Sequence, residues 1–133
     1  MVNWKTPNPN SPWADIVGPC YTTASLARTL GWTEAMVSEA ADSLSLLRVT
    51  TSDGVELYPA FQLLDGKPVV GLADVLRTLR SGADAPWTWA QWLNTPLTDE
   101  DGVEQPTNVQ RLREGQLADV LREAKHDAAV WRS

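Results

Sequence analysis

The most constraining feature of this sequence is a pair of short helical patterns separated by one glycine. In the first, which opens at 21–23 with threonines available as N-caps, apolar residues recur on one face up to Leu30. Gly31 stands where a left-handed residue closes a helix, and Thr33 can cap the next one. Two helices joined by such a turn form a helix-turn-helix unit. The predicted inner face of the second helix is Met36, Val37, Ala40, Ala41 and Leu44.

A β-hairpin is predicted directly after this unit. Partial apolar alternation over 46–51 and 55–58 flanks Asp53 and Gly54, and an Asp-Gly pair between such runs is typical of a tight hairpin turn. A hairpin in this position is a wing, so residues 20–68 are predicted to form a winged helix-turn-helix. Asp65 and Gly66 predict a second turn.

The remainder of the chain reads as helical. An amphipathic pattern covers 71–80, a polar and acidic loop is predicted over 98–107, and a short helix over 108–114 precedes a well-patterned last helix. The predicted fold class is therefore mainly α with a small β-hairpin wing: a winged helix-turn-helix followed by a C-terminal helical bundle. The predicted organisation is an irregular N-terminal arm over 1–19, the winged unit over 20–68, and a C-terminal helical region over 69–133 packed on it as one globular unit.

Three of the seven tryptophans lie in the segment 87–96, which predicts a short, aromatic-rich helix. Thr88 is its predicted N-cap, with Gln91 completing a capping box, and Pro96 ends it. A helix this short needs tertiary packing, against either the chain's own core or a partner. The apolar stripes of the neighbouring helices favour core packing, and Trp87, which lies outside the stripe, is the candidate for a partner contact.

Composition restricts the function classes. The chain has 133 residues, which suits a single domain, and one cysteine, Cys20, which excludes an intrachain disulfide and favours a reducing compartment. A signal peptide and a membrane span are absent from the sequence pattern, so a cytoplasmic location is expected. The lone His126 lacks fellow metal ligands, and Cys20 lacks a nearby base. We therefore predict no enzyme, no catalytic residue, no metal and no cofactor.

The negative charge of the chain makes nucleic-acid binding less favourable but does not exclude it. The net charge is −6, and basic residues are missing between Arg28 and Arg48, where the second helix would face DNA. Threonine and serine on that helix could still contact bases, while arginine and lysine hold the phosphate backbone. The residues alone are consistent with DNA binding and equally with a helix-turn-helix that contacts only other proteins. The candidate DNA-binding residues are Thr23, Arg28, Thr33, Glu34, Ser38, Ser43, Arg48, Thr50 and Lys67.

A resemblance to a known family rests on the segments 21–31, 58–63 and 89–96, with 112–115 as the continuation. Together they resemble small prokaryotic winged-helix or Xre-type regulators that carry an antitoxin-like C-terminal domain. The resemblance implies double-stranded DNA as a partner and, as the alternative, a RES-type toxin protein that the C-terminal helices neutralise. The candidate partner-binding residues are Trp87, Arg111 and Arg113. A homodimer is expected, because one small acidic module offers few phosphate contacts.

Overall fold

A computed structural model describes residues 17–133, so most of the predicted N-terminal arm lies outside the described residues. Slightly more than half of the described residues are helical, and this part of the chain contains six helices and small antiparallel sheets. The fold is therefore mixed α/β: the helices make up the larger part, as predicted, and residues 17–133 form three small sheets where a small β-hairpin wing was predicted. Within residues 17–133, no helix is both long enough and apolar enough to span a membrane.

The two N-terminal helices form as the sequence predicts. Helix α1 (Thr23–Leu30) has Thr22 as its N-cap, and the side chains of Thr22 and Ser25 make a reciprocal capping box. It ends at Gly31, whose φ of 72° is a conformation that favours glycine. Helix α2 (Glu34–Asp42) has Thr33 as its N-cap, and the Thr33 hydroxyl accepts a hydrogen bond from the Met36 amide at 3.1 Å.

The inner faces of α1 and α2 meet in a small core of their own. Its buried members are Leu26, Ala27, Val37, Ala41, Leu46 and Tyr58. Met36 was predicted on this inner face, and that prediction is wrong, since Met36 is 46% exposed. Helix α2 ends before Leu44, which takes a positive φ of 64° and directs the chain into the hairpin.

The predicted hairpin is present, with shorter strands than the alternation suggested. Strand β2 (Val49–Thr50) pairs antiparallel with β3 (Glu56–Pro59), placing Val49 opposite Leu57. Strand β1 (Cys20–Tyr21) pairs with the other edge of β3, so the sheet order is β1-β3-β2. A short 3₁₀ turn (Ala60–Gln62) follows, and then a second hairpin of β4 (Leu63–Leu64) and β5 (Lys67–Pro68).

That second hairpin confirms the predicted Asp65-Gly66 turn. Both residues have positive φ, 54° and 76°, which is the backbone twist that a two-residue hairpin requires. Before the hairpin, the side chain of the fully buried Gln62 binds the backbone of Leu47 in both directions, at 2.8 and 2.9 Å, and donates to the Pro59 carbonyl at 2.9 Å. Gln62 therefore holds the segment between α2 and β2 against the end of β3.

The C-terminal half contains four helices: α3 (Leu72–Arg80), α4 (Pro86–Asn94), α5 (Asn108–Arg113) and α6 (Leu117–Arg132). Helices α3 and α6 pack closely. At Gly82, just after α3, a Cβ would lie 2.5 Å from the Ala128 Cα of α6. The main core also includes Leu47, Val49 and Leu57 from the first half of the chain. The two halves therefore share the main hydrophobic core, beside the small core between α1 and α2.

Two local predictions in this half are wrong. Helix α4 begins at Pro86 after Ala85, so Thr88 lies inside the helix and is not its cap. Proline fits the first helical turn, because its missing N–H would have no intrahelical partner there. The acidic loop predicted over 98–107 is a third hairpin, in which β6 (Leu97–Thr98) pairs with β7 (Glu104–Gln105). The Asp99 carboxylate accepts the amides of Asp101 and Val103 and so organises its turn.

Candidate nucleic-acid interface

The outer face of α2 is the surface that is predicted from the sequence to contact DNA bases. Thr33, Glu34, Met36 and Glu39 are exposed, whereas Ser38 is only half-exposed. Thr33 has its hydroxyl engaged in capping α2. The face is therefore open but acidic, and it includes one large exposed apolar side chain, Met36, which was predicted to lie in the core.

The carboxyl end of α2 is surrounded by arginines. Arg48, just before β2, donates to the Asp42 carboxylate at 2.7 Å, and Arg77 of α3 donates to the Ser43 carbonyl at 3.2 Å. Arg80, one turn further along α3, lines the same cleft as Asp42 and Arg48. Cations at a helix carboxyl end are favoured by the helix dipole, which accounts for their gathering here.

Burial acts to lower the pKa of Arg48, but hydrogen bonding to Asp42 and the proximity of Tyr58 outweigh it and raise the pKa above its ordinary value. The guanidinium therefore stays charged. Its ion pair with Asp42 is partly exposed, with 25% of the Arg48 side chain and 67% of the Asp42 side chain accessible. Because the Asp42 side of the pair is open to solvent, the pair contributes only modest stability.

The cleft itself has a volume of about 250 Å³ and lies between α2, the β2–β3 hairpin and the α3–α4 connection. Besides Arg48 and Arg80, its charged lining consists of Asp42 and Asp84. Two cations and two carboxylates make the cleft close to neutral. It thus lacks the uniform positive charge of a strong phosphate site.

Of the remaining residues predicted to contact DNA, two lie beside the arginine cluster and three lie elsewhere. Thr50 is exposed on β2, and Ser43 is exposed directly after α2, so both lie beside the arginine cluster. Thr23 donates its hydroxyl to Tyr58 at 3.3 Å, and Arg28 is exposed in the last turn of α1. Lys67 belongs to the separate β4–β5 hairpin and not to the predicted wing.

The three predicted partner contacts all make hydrogen bonds within the chain. Trp87 donates its indole N–H to the Thr50 carbonyl at 2.9 Å. Arg111 donates to Glu123 at 2.8 Å and to Asn108 at 3.1 Å. Arg113 donates to the carbonyls of Phe61 and Leu63 at 2.6 and 3.3 Å. These side chains therefore join distant segments, and a partner contact by any of them stays a prediction.

Sequence reasoning missed Arg77 and Arg80 as members of the arginine cluster. Both lie on the polar side of α3, opposite the buried Val75 and Leu79, so their exposure was readable from the helical period. Their position next to α2 was not readable, because it depends on how α3 packs against the first half of the chain.

Two further observations concern the cysteine and the potential metal ligands of the described residues. Burial raises the pKa of the Cys20 thiol from 9.0 to about 11, which keeps it protonated and a poor nucleophile. Over residues 17–133, the acidic, histidine and cysteine side chains form no group of three or more that could hold a metal ion.

Comparison with known proteins adds information on the fold. No protein-family model matches this chain, and no curated protein is significantly similar to it. Among solved structures, the chain is similar to an NMR structure of Rv2175c, with a TM-score of 0.69 and 25% sequence identity. The similarity covers 94% of this chain and 86% of Rv2175c, so it extends across both halves of the molecule.

Proposed function

We propose that this chain is a DNA-binding transcriptional regulator that inserts α2 into the major groove, with the β2–β3 hairpin as the wing of a winged helix-turn-helix. The observation that carries the proposal is the open outer face of α2 directly beside Arg48, Arg77 and Arg80. A recognition helix needs a free face for base edges and flanking cations for the backbone.

Within this arrangement, the first turns of α2 read the bases. Thr33, Glu34 and Ser38 supply polar groups, and Met36 supplies an apolar contact of the kind that suits a thymine methyl group. Arg48 and Arg80, with Ser43 and Thr50 nearby, contact phosphates. Arg28 and Lys67 would extend the contact to neighbouring phosphates.

The acidic charge of α2 sets the strength of binding. Glu34, Glu39 and Asp42 are exposed on or beside the reading face and repel phosphate, and the chain carries a net charge of −6. We propose that the protein acts as a homodimer, because two copies double the arginine contacts and span two half-sites.

A fluorescence anisotropy titration against labelled duplex DNA from upstream of its own gene, repeated at several salt concentrations, tests the proposal. We expect saturable binding that weakens steeply with salt. Arg80→Gln should weaken binding on all sequences and lower the salt slope by about one unit. Arg122→Gln is the matched control, since Arg122 is an exposed arginine on α6 whose guanidinium pairs with Asp119. Absence of binding at low salt would reject the proposal.

A second candidate function is a protein-binding antitoxin, with little DNA affinity, that neutralises a RES-type toxin through the C-terminal half. The observation that favours it is the exposure of two apolar residues on the β6–β7 hairpin, Leu97 at 50% and Val103 at 56%. Co-expression with a RES-domain protein encoded beside its gene tests it. Rescue of growth that is lost with Leu97→Asp and Val103→Asp together would support it, and rescue that this double variant retains would contradict it.

A further inference from the structure

A second cavity, far along the chain from the α2 face, lies between α4, α6 and the β6–β7 hairpin. It has a volume of about 360 Å³, within the range of small-molecule sites, and the proposed DNA-binding function does not use it. Trp92 of α4, Trp131 of α6 and Leu97 of the hairpin contribute its apolar lining. Both tryptophans are half-buried and pack against the main core, so their indoles are held in place.

Two carboxylates of α6 share this lining. Glu123 already has a cation, since Arg111 donates to it at 2.8 Å. Asp127 is half-buried and accepts the indole N–H of Trp92 at 2.7 Å, and among the described residues no arginine or lysine forms an ion pair with it. A carboxylate bonded only to a neutral donor beside aromatic rings favours a positively charged occupant.

The chemistry of Asp127 indicates which kind of cation suits the cavity. A carboxylate only accepts hydrogen bonds, and those from charged N–H donors are the strongest. A quaternary ammonium has no N–H to donate, so the cavity is better suited to an N–H cation than to a quaternary ammonium.

We propose that the cavity lined by Trp92, Thr95, Leu97, Glu123, Asp127 and Trp131 binds a small organic cation, with a primary ammonium or guanidinium group on an apolar body. The cationic group lies against the Asp127 carboxylate, and the apolar body contacts Leu97 and the tryptophan rings. The β6–β7 hairpin, to which Leu97 belongs, also carries Asp99, Glu100, Asp101 and Glu104, and these charges add negative potential to this side of the molecule.

The test is a two-dimensional ¹H–¹⁵N NMR titration of the full chain with three probes of matched shape. Benzylamine carries charge and N–H donors, benzyl alcohol is neutral, and benzyltrimethylammonium carries charge without an N–H. The indole resonance of Trp92, assigned by its loss in Trp92→Phe, reports the site. We expect saturable shifts with benzylamine at an affinity at least fivefold tighter than with either analogue, and saturable shifts with agmatine as a guanidinium probe.

Two variants distinguish a specific binding site from the general attraction of cations to an acidic protein. Asp127→Asn keeps an acceptor for Trp92 while removing the charge, and it should weaken benzylamine binding about tenfold. Asp119→Asn removes the same charge from an exposed position of α6 that pairs with Arg122, and it should leave binding unchanged. If Asp127→Asn does not fold, Trp131→Phe replaces it and should weaken binding several-fold.

Equal weakening by Asp119→Asn, equal affinity for benzyl alcohol, or no saturable shift with benzylamine and agmatine would each overturn the proposal. Because the titration contains no DNA, its result is independent of whether α2 binds a duplex.

Discussion

The indole Nε1–H of Trp87, in the first turn of α4, donates a hydrogen bond of 2.9 Å to the carbonyl oxygen of Thr50 in β2. This bond joins the C-terminal half to the outer strand of the β2–β3 hairpin. It explains how a two-residue strand keeps its position, since isolated hairpins of this size are marginally stable. A tryptophan that the sequence singled out for a partner thus anchors the hairpin.

Trp87→Phe should loosen the hairpin more than the rest of the molecule. The change keeps an aromatic ring but removes the N–H, so we expect a loss of about 1 kcal/mol in the free energy of unfolding. Amide exchange should accelerate at Thr51, whose N–H bonds Val55 within the hairpin. Trp92→Phe is the control, because it removes an indole bond to Asp127 instead. Equal exchange at Thr51 in both variants would contradict the anchoring role.

Gln62→Leu should destabilise the fold strongly. The substitution leaves the buried amide and carbonyl of Leu47 without their partner, and the Pro59 carbonyl loses a donor. Because each buried unpaired group costs free energy, we expect a loss of about 3 kcal/mol, seen as a lower urea midpoint at an unchanged slope. Gln91→Leu, at an exposed position of α4, should change stability by less than about 0.5 kcal/mol. Similar midpoints for the two variants would show that Gln62 is dispensable.

The sequence predicts local features of this fold but not long-range contacts such as those of Trp87 and Gln62. The caps at Thr22 and Thr33, the left-handed Gly31 and the Asp65-Gly66 turn were predictable, because each depends on residues within four positions of one another. The start of α4 was misplaced by the same local logic. Two capping signals competed there, and Pro86, with its fixed φ, begins the helix before Thr88 can cap it.

The candidate interface was only half predictable for a different reason. The exposed face of α2 follows from helical periodicity, but Met36 was assigned inward because a hydrophobic residue near the stripe is normally buried. The bonds from Arg77 to Ser43 and from Arg113 to Phe61 join residues far apart in sequence. No spacing rule encodes such pairs, since they depend on how whole helices pack.

Gly82→Ala should weaken the packing of α3 against α6. A Cβ there would lie 2.5 Å from the Ala128 Cα and 2.6 Å from its carbonyl oxygen, and both are backbone atoms that move only with the helix. We expect a loss of about 2 kcal/mol or more, measured by thermal and urea unfolding. Gly102→Ala, where a Cβ has open space but φ is 79°, should cost about 1 kcal/mol from backbone strain alone. A smaller loss for Gly82→Ala than for Gly102→Ala would contradict the close approach.

Cys20 should make the fold less stable at alkaline pH. Its pKa is 9.0 in an unperturbed thiol and about 11 in the folded protein, because burial disfavours the thiolate. Between these two values the unfolded chain has lost the proton and the folded chain retains it, so the free energy of unfolding falls as pH rises. Cys20→Ala should remove this part of the decline, as urea titrations from pH 8 to 11 would show. Parallel pH profiles for the two proteins would rule out a buried, protonated thiol.

Glu39→Gln should tighten binding to DNA if α2 enters the major groove. Glu39 is exposed on α2, between Glu34 and Asp42, so its carboxylate faces the phosphates in the proposed complex. Removing one repulsive charge at a solvent-exposed interface is worth about 1 kcal/mol at low salt, which is roughly a fivefold gain in affinity. Since phosphates are common to all sequences, the gain should appear on every duplex and shrink as salt screens the charge. Glu114→Gln, an exposed carboxylate at the end of α5, provides the comparison with equal net charge. An equal gain from both substitutions would attribute the effect to overall charge and remove α2 from the interface, whereas a gain confined to Glu39→Gln places that helix against the DNA.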